Sequence, residues 1–172
     1  MIIYAIYSLF IKNIPGGNGT IGKKIRRFFQ KLIGVKLGKN SVIGYKTYFS
    51  YQIRKKIKIG QNSGIGSFSH VFGNGNIKIG NNVISGPKVT FITRWHEISY
   101  DSSGNKENIM RSGDIEIHDD VFIGTNVTIL PNVVIGEKSI IASGTTVYKS
   151  IPEGSFVTSA KIEINRIKNK NE

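Results

Sequence analysis

The sequence predicts an all-β chain wound as a three-sided coil, and three observations carry that prediction. Isoleucine outnumbers leucine 30 to 4, and β-branched side chains suit a pleated surface better than a helix. A large apolar residue returns every six positions, as Leu37, Ile43, Phe49; Ile59, Ile65, Val71; Ile79, Ser85, Phe91; and then Ile117, Ile123, Ile129, Ile135, Ile141, Val147, with Ser85 the one polar member. In the first and second places of these triplets the next residue is Gly at 38, 44, 60, 66, 80, 86, 124 and 136, and in the third place it never is. The chain thus repeats at eighteen residues as well as at six, and a fixed internal period is the mark of a solenoid. Six residues supply one short strand and one corner, the apolar member points into the prism, and Gly relieves steric limits at a tight turn.

The interruptions fit the same picture. The steps are 10 residues from Phe49 to Ile59, 8 from Val71 to Ile79 and 26 from Phe91 to Ile117. Each follows a third position, so every insertion leaves one edge of the prism. The largest, about 94–114, is predicted to be a long polar loop without a period of its own, and long excursions from compact solenoids tend to carry function. Before the repeat, residues 1–34 form a separate segment. Met1–Ile11 is apolar, Pro15-Gly16-Gly17 breaks it, and Thr20–Ile33 reads as an amphipathic basic helix. Ile21, Ile25, Phe28, Phe29 and Leu32 supply its apolar side; Lys23, Lys24, Arg26, Arg27 and Lys31 supply its polar side. The repeat is expected to occupy 35–152 and to end at Pro152. A tail, 153–172, follows, with a charged stretch from Lys161 that has room for one helical turn or two.

Composition excludes several chemistries. The 172 residues suit one domain, and the absence of cysteine removes disulfides, Cys-ligated zinc and thiol nucleophiles and fits a reducing compartment. Residues 1–60 hold 13 Lys/Arg and no Asp or Glu, while 61–172 hold 11 of each sign. The basicity therefore belongs to the N-terminal segment, whose field attracts anions. It has little base-stacking pattern, so nucleic acid is not an expected partner. Met1–Ile11 is about half the length that spans a bilayer and lacks the charged start and cleavage site of a signal peptide. The expectation is a cytoplasmic protein. Its residues 1–33 either rest peripherally on the inner membrane face or pack on the coil or a partner.

From Ile117 the chain reads IHDDVF, IGTNVT, ILPNVV, IGEKSI and IASGTTV, followed after Tyr148 by Lys149-Ser150-Ile151-Pro152. This resembles the hexapeptide-repeat acyltransferases over roughly Leu37 to Pro152, and more closely the O-acetyltransferases that modify surface polysaccharides and small glycosides. The resemblance implies a left-handed parallel β-helix of about five coils, a homotrimer, and acetyl-CoA as co-substrate. It also implies a catalytic element of Thr-x-x-His type, matched by Thr93-Arg94-Trp95-His96. His96 would be the general base. An alcohol attacks a thioester poorly until its proton is removed, and neutral imidazole suits that task near pH 7; without cysteine, transfer would be direct. Glu97, Asp101, Asp114 or a backbone carbonyl could orient the ring. Arg94 and Trp95 either contact the acceptor, by ion pairing and stacking on a sugar ring, or pack the loop.

For the coenzyme, Thr125 matches a position beside the pantetheine arm, Ser143 the second small residue of a Gly-Ala-Gly-like stretch, and Tyr148 and Lys149 the pair near the adenine; ordinary corner residues are the alternative. The sequence departs from the family at Thr158-Ser159-Ala160-Lys161, which lacks the usual Gly-x-Pro-Ala turn and leaves open how Lys161 or Arg166 would meet the 3′-phosphate. Phe122 stands for a usual Trp, and Asn132 for a usual Gly. The γ-type carbonic anhydrases bind zinc through three histidines, but the spacing of His70, His96 and His118 does not match theirs; no metal is expected, and His70 and His118 read as structural or solvated. The expected activity is acetyl transfer to a sugar hydroxyl of a surface polysaccharide or its precursor. N-acetylation of a nucleotide-linked amino sugar and a non-catalytic trimeric scaffold are the alternatives.

Overall fold

Inward-pointing side chains stack in three ladders, and the strands that carry them form three parallel sheets around a triangular core. A computed structural model describes residues 1–15 and 20–159. On the first side Lys36–Leu37, Ile57–Ile59, Ile77–Ile79, Ile115–Ile117 and Val133–Ile135 pair in that order. On the second run Val42–Ile43, Gly64–Ile65, Ile84–Ser85, Phe122–Ile123, Ile140–Ile141 and Phe156–Val157. On the third run Tyr48–Phe49, His70–Gly73, Thr90–Tyr100, Thr128–Ile129 and Thr146–Val147. Register places each triplet member on its counterpart, as in Leu37↔Ile59, Ile123↔Ile141 and Ile129↔Phe91. Ile43, Val71, Phe91, Ile123, Ile129, Ile135 and Ile141 are fully buried. Each is worth about 1.5–3 kcal/mol relative to exposure.

Among the described residues five coils are complete and a sixth begins. After Val147 the chain reaches the first side again within four residues, where Ile151 bridges Ile135, and Phe156–Val157 then pairs with Ile140–Ile141. The repeat therefore passes Pro152. A strict six-residue count misses this because the coil is shortened, at the same edge where the earlier insertions leave.

The corner glycines serve a purpose other than the one expected. None of the eight that follow a triplet residue has positive φ; the left-handed position lies two residues later, at Asn40, Lys46, Asn62, Phe68, Asn82, Lys88, Asn126 and Lys138. What excludes a side chain is the next coil. A Cβ on Gly66 would stand 2.0 Å from the Gly86 carbonyl oxygen, and one on Gly38 2.4 Å from that of Gly60. Stacked coils approach closely at these corners, and only Gly has no atom to collide.

The N-terminal helices, α1 (Ile2–Leu9) and α2 (Ile21–Leu32), cap the first coil. The amphipathicity of α2 is inverted relative to the usual rule. Arg27 and Gln30 face the coil and Arg26 is buried beside the Ile14 carbonyl, with Arg26 and Gln30 at 2% and 0% exposure. Ile21, Phe28 and Leu32, by contrast, are exposed at 76%, 62% and 51%, and Lys24 and Lys31 are exposed as well. The physical reason is that a terminal coil leaves its outer backbone groups without a neighbouring strand, and buried amides need partners. Gln30 acts as that strand, donating to the Ile43 carbonyl at 2.8 Å and accepting from the Ile43 amide at 3.1 Å. Arg27 donates to the carbonyls of Gly38 and Ser41. From α1, Tyr7 accepts from Gln30 at 3.1 Å, and burial pushes its phenol up to about 12.

Outside, the three sides differ. The first carries Lys36, Lys58, Lys78 and Glu116 in register. The third carries Tyr48, His70, Thr90, Thr128 and Thr146. The second carries Ile84, Phe122, Ile140 and Phe156, 61%, 45%, 44% and 69% exposed.

Candidate active site

Residues 94–114, expected as an irregular loop, are mostly a β-ribbon. Thr90–Tyr100 runs along the third side as far as Thr93, paired with His70–Gly73, then leaves the prism and turns back as Lys106–Ser112. Antiparallel pairing is confined to this excursion among the described residues.

Thr93 anchors the foot. Its side chain is fully buried, donating from Oγ1 to the Phe72 carbonyl at 2.9 Å and accepting from the Gly75 amide at 3.2 Å, while its carbonyl accepts from Gly113 at 3.0 Å. In the Thr-x-x-His element, then, the threonine fixes the point of departure and the histidine is carried outward. Asp114 ties the returning strand, accepting from the Asn76 amide at 2.7 Å and its Nδ2 at 3.0 Å. The Asn76 side chain, then its backbone amide, hold the Asp114 carboxyl below the usual carboxylate range. At the tip, Asp101 accepts from Ser103, from the Asn105 amide and from Asn105 Nδ2, bonds that likewise lower its pKa.

These bonds decide what orients His96. Asp101 and Asp114 are committed to the two ends of the ribbon, and Glu97 accepts from Arg111 Nε at 2.6 Å. The partner of His96 is instead Asn108, whose Oδ1 lies 2.8 Å from Nδ1. Asn108 is opposite Ile98 in the register, the diagonal neighbour of His96 on one face of the ribbon. If Nδ1 carries the proton it donates to Asn108, and Nε2 is the free base. An amide oxygen selects the tautomer as a carboxylate would, but without full charge to stabilise the imidazolium. No carboxylate search along the sequence could have found it, since the pairing depends on ribbon register.

Alternation along the strand also separates the two expected acceptor residues. Arg94 shares the face of His96, with Ile98, Tyr100 and Met110; Trp95 lies on the other face, opposite Arg111. Within one chain Arg94 accompanies His96 and Trp95 does not.

The residues expected near a coenzyme gather elsewhere. Ser143 Oγ accepts from the Thr125 amide at 3.1 Å, and the Gly144 amide donates to the Thr125 carbonyl at 2.9 Å, so Thr125 and Ser143 stack at one corner. Gly144 continues into an open groove lined by Thr146, Tyr148, Lys149, Thr158 and Ser159. Tyr148 is 70% exposed there. The groove offers backbone groups, an aromatic ring and an ammonium to an extended polar ligand. Among the described residues no hydrogen bond or ion pair joins the ribbon's His96, Arg94 or Trp95 to this groove. Lys161 and Arg166 lie outside the described residues, as does the Ala160-Lys161 half of the altered turn. His70 stacks on Phe72 at 5.7 Å, and His118 Nε2 lies 3.5 Å from Glu116. Neither is near His96 in the strand register, and the described residues include no cluster of three His, Asp or Glu able to hold a metal.

Comparison with known proteins finds likeness in the repeat and in the fold. Residues 114–149 match the family described as bacterial transferase hexapeptide (six repeats). The galactoside O-acetyltransferase of Escherichia coli (strain K12) is 40% identical over 76 residues, 44% of this chain and 36% of that protein. The chain covers less than half the length of the curated relatives it matches. Among solved structures, a hexapeptide-repeat acetyltransferase from Vibrio cholerae in complex with acetyl coenzyme A superposes with a TM-score of 0.73 at 26% identity, covering 92% of this chain and 82% of that one. A maltose O-acetyltransferase from Clostridium difficile shares the fold with a TM-score of 0.73 at 24% identity, covering 92% and 80%.

Proposed function

We propose, for a chain that carries the bacterial transferase hexapeptide repeat on the left-handed β-helix of the hexapeptide-repeat acetyltransferases, an acetyl-CoA-dependent O-acetyltransferase acting on a sugar hydroxyl, with the cytoplasm as its compartment. The observation that carries the proposal is His96, held at Nδ1 by Asn108 on a ribbon pinned at its foot by Thr93. Nε2 takes the acceptor's hydroxyl proton as the oxygen attacks the thioester carbonyl; the C–S bond breaks, the ester forms, and the proton passes to the departing thiolate. Arg94 meets an anionic group on the acceptor, a surface-polysaccharide unit or its precursor. Thr125, Ser143, Tyr148 and Lys149 hold the coenzyme, the Lys149 ammonium against phosphate.

Because ribbon and groove are not joined within one chain, the site is completed by a neighbouring subunit of a homotrimer. The Ile84–Phe122–Ile140–Phe156 column is the face such a neighbour would cover. A patch of this kind is uncommon on a monomer.

Incubation with acetyl-CoA and matched alcohol or amino sugars tests the reading by product mass. Acetylation of the hydroxyl sugars is expected. Transfer confined to amines would replace the proposal with N-acetylation, and no transfer to either would leave a scaffold. Light scattering tests the assembly: wild type at three chain masses and Phe122→Asp at one are expected, and a monomeric wild type would overturn the shared site.

A further inference from the structure

The inverted helix α2 leaves an apolar surface outside that cannot be turned inward. Arg27 and Gln30 pair with backbone groups of Gly38, Ser41 and Ile43. Rotating the helix to bury Phe28 would orphan those groups in the interior. The outward stripe Ile21, Phe28, Leu32 is joined by α1, where Met1, Ile2, Leu9 and Phe10 are 94%, 76%, 65% and 67% exposed. The two helices meet at a shallow cleft where Met1 and Ile3 face Leu32, with Lys55 on its rim. Lys24, Lys31, Lys39 and Lys55 are all exposed around this surface, and no Asp or Glu precedes Glu97 in the chain.

That charge distribution selects the occupant. A second copy would set lysine against lysine across a carboxylate-free contact, which is unfavourable. An anionic bilayer complements both features, since apolar side chains enter the boundary of the acyl region while ammonium groups meet phosphates. No described helix is long and apolar enough to cross a membrane, so the geometry is that of helices lying on it. We infer that α1 and α2 dock this chain on a membrane surface rich in anionic phospholipid. The docking is independent of acetyl transfer, because vesicle binding requires no turnover.

The test is co-sedimentation of the full chain with vesicles of phosphatidylcholine alone and of phosphatidylcholine mixed with phosphatidylglycerol. Wild type is expected to sediment with the mixed vesicles and to be released by salt. Phe28→Asp with Leu32→Asp abolishes binding while circular dichroism and melting temperature stay unchanged, since neither side chain is buried in the coil. Lys24→Ala with Lys31→Ala lowers partitioning roughly thirtyfold, at about 1 kcal/mol for each lysine. Absence of binding by wild type, equal binding to both vesicle types, or binding undiminished in the Asp pair would overturn the inference. So would a lipid-free assembly that the Asp pair dissolves, which would make a second copy the occupant.

Discussion

The prism and its ribbon are built on opposite principles. In the prism each inward residue is one of a ladder of near-equivalents, such as Ile43, Ile65, Ser85, Ile123, Ile141 and Val157, and even the polar member is accommodated. In the ribbon each tie occurs once: Thr93 at the foot, Asn108 beside His96, Asp101 at the tip. The prism's exchange of one β-branched residue for another tells little about function. In the ribbon a few single bonds set the position of the His96 imidazole.

The largest expected effect breaks the comparison at its functional end. His96→Ala should lower kcat about 10²–10⁴-fold, the usual contribution of a positioned base, with melting temperature and assembly unchanged; turnover near wild type would remove His96 from the mechanism. At the structural end, Ile123→Ala should destabilise the coil by about 2–5 kcal/mol, read by denaturant titration, because a fully buried residue in the fourth coil has close neighbours above and below. Thr93→Ala sits at the junction. It strands the Phe72 carbonyl and the Gly75 amide, costing about 1–3 kcal/mol, and should lower kcat as the ribbon loosens, whereas Ile123→Ala leaves kcat of the folded fraction unchanged. The smallest effect is acid loosening at the ribbon's foot. The Asp114 pKa is depressed by Asn76, so its contribution is fully present above the ordinary carboxylate pKa of about 3.9 and is lost as pH falls through the lower folded value. Trp95 fluorescence followed from neutral pH downward should shift before the far-ultraviolet dichroism does, and Asp114→Asn should remove the separation.

Legibility in the sequence follows the same division. Periodicity exposed the prism because its inward residues obey a local rule, repeated often enough to survive Ser85 and three insertions. It overlooked the sixth coil because the four-residue return from Val147 to Ile151 breaks the count. His96, Thr125 and Ser143 are named by the family resemblance, and the period adds only their places, at the start of the excursion and at corners of the coil. Asn108 was not, because an antiparallel register joins residues twelve apart with no periodic signal. Amphipathicity located α2 but left its orientation open, since the hydrophobic pattern cannot say whether a helix meets an apolar core or the unpaired edge of a terminal coil.

What the chain's own letters settle, then, is everything set by nearest-neighbour chemistry: short strands, corners marked by glycine, one edge for all insertions, a cationic beginning and no thiol. Three-dimensional contact was required wherever two answers satisfied the local rules equally. Glycine at a corner suits either a left-handed turn or a close approach, and the Gly86 carbonyl 2.0 Å from where a Gly66 Cβ would stand selects the second. A histidine beside three carboxylates could have used any of them, and an amide across the ribbon is its partner. The physical reason is common to both: the deciding energy comes from atoms distant in sequence, which a one-dimensional pattern does not contain.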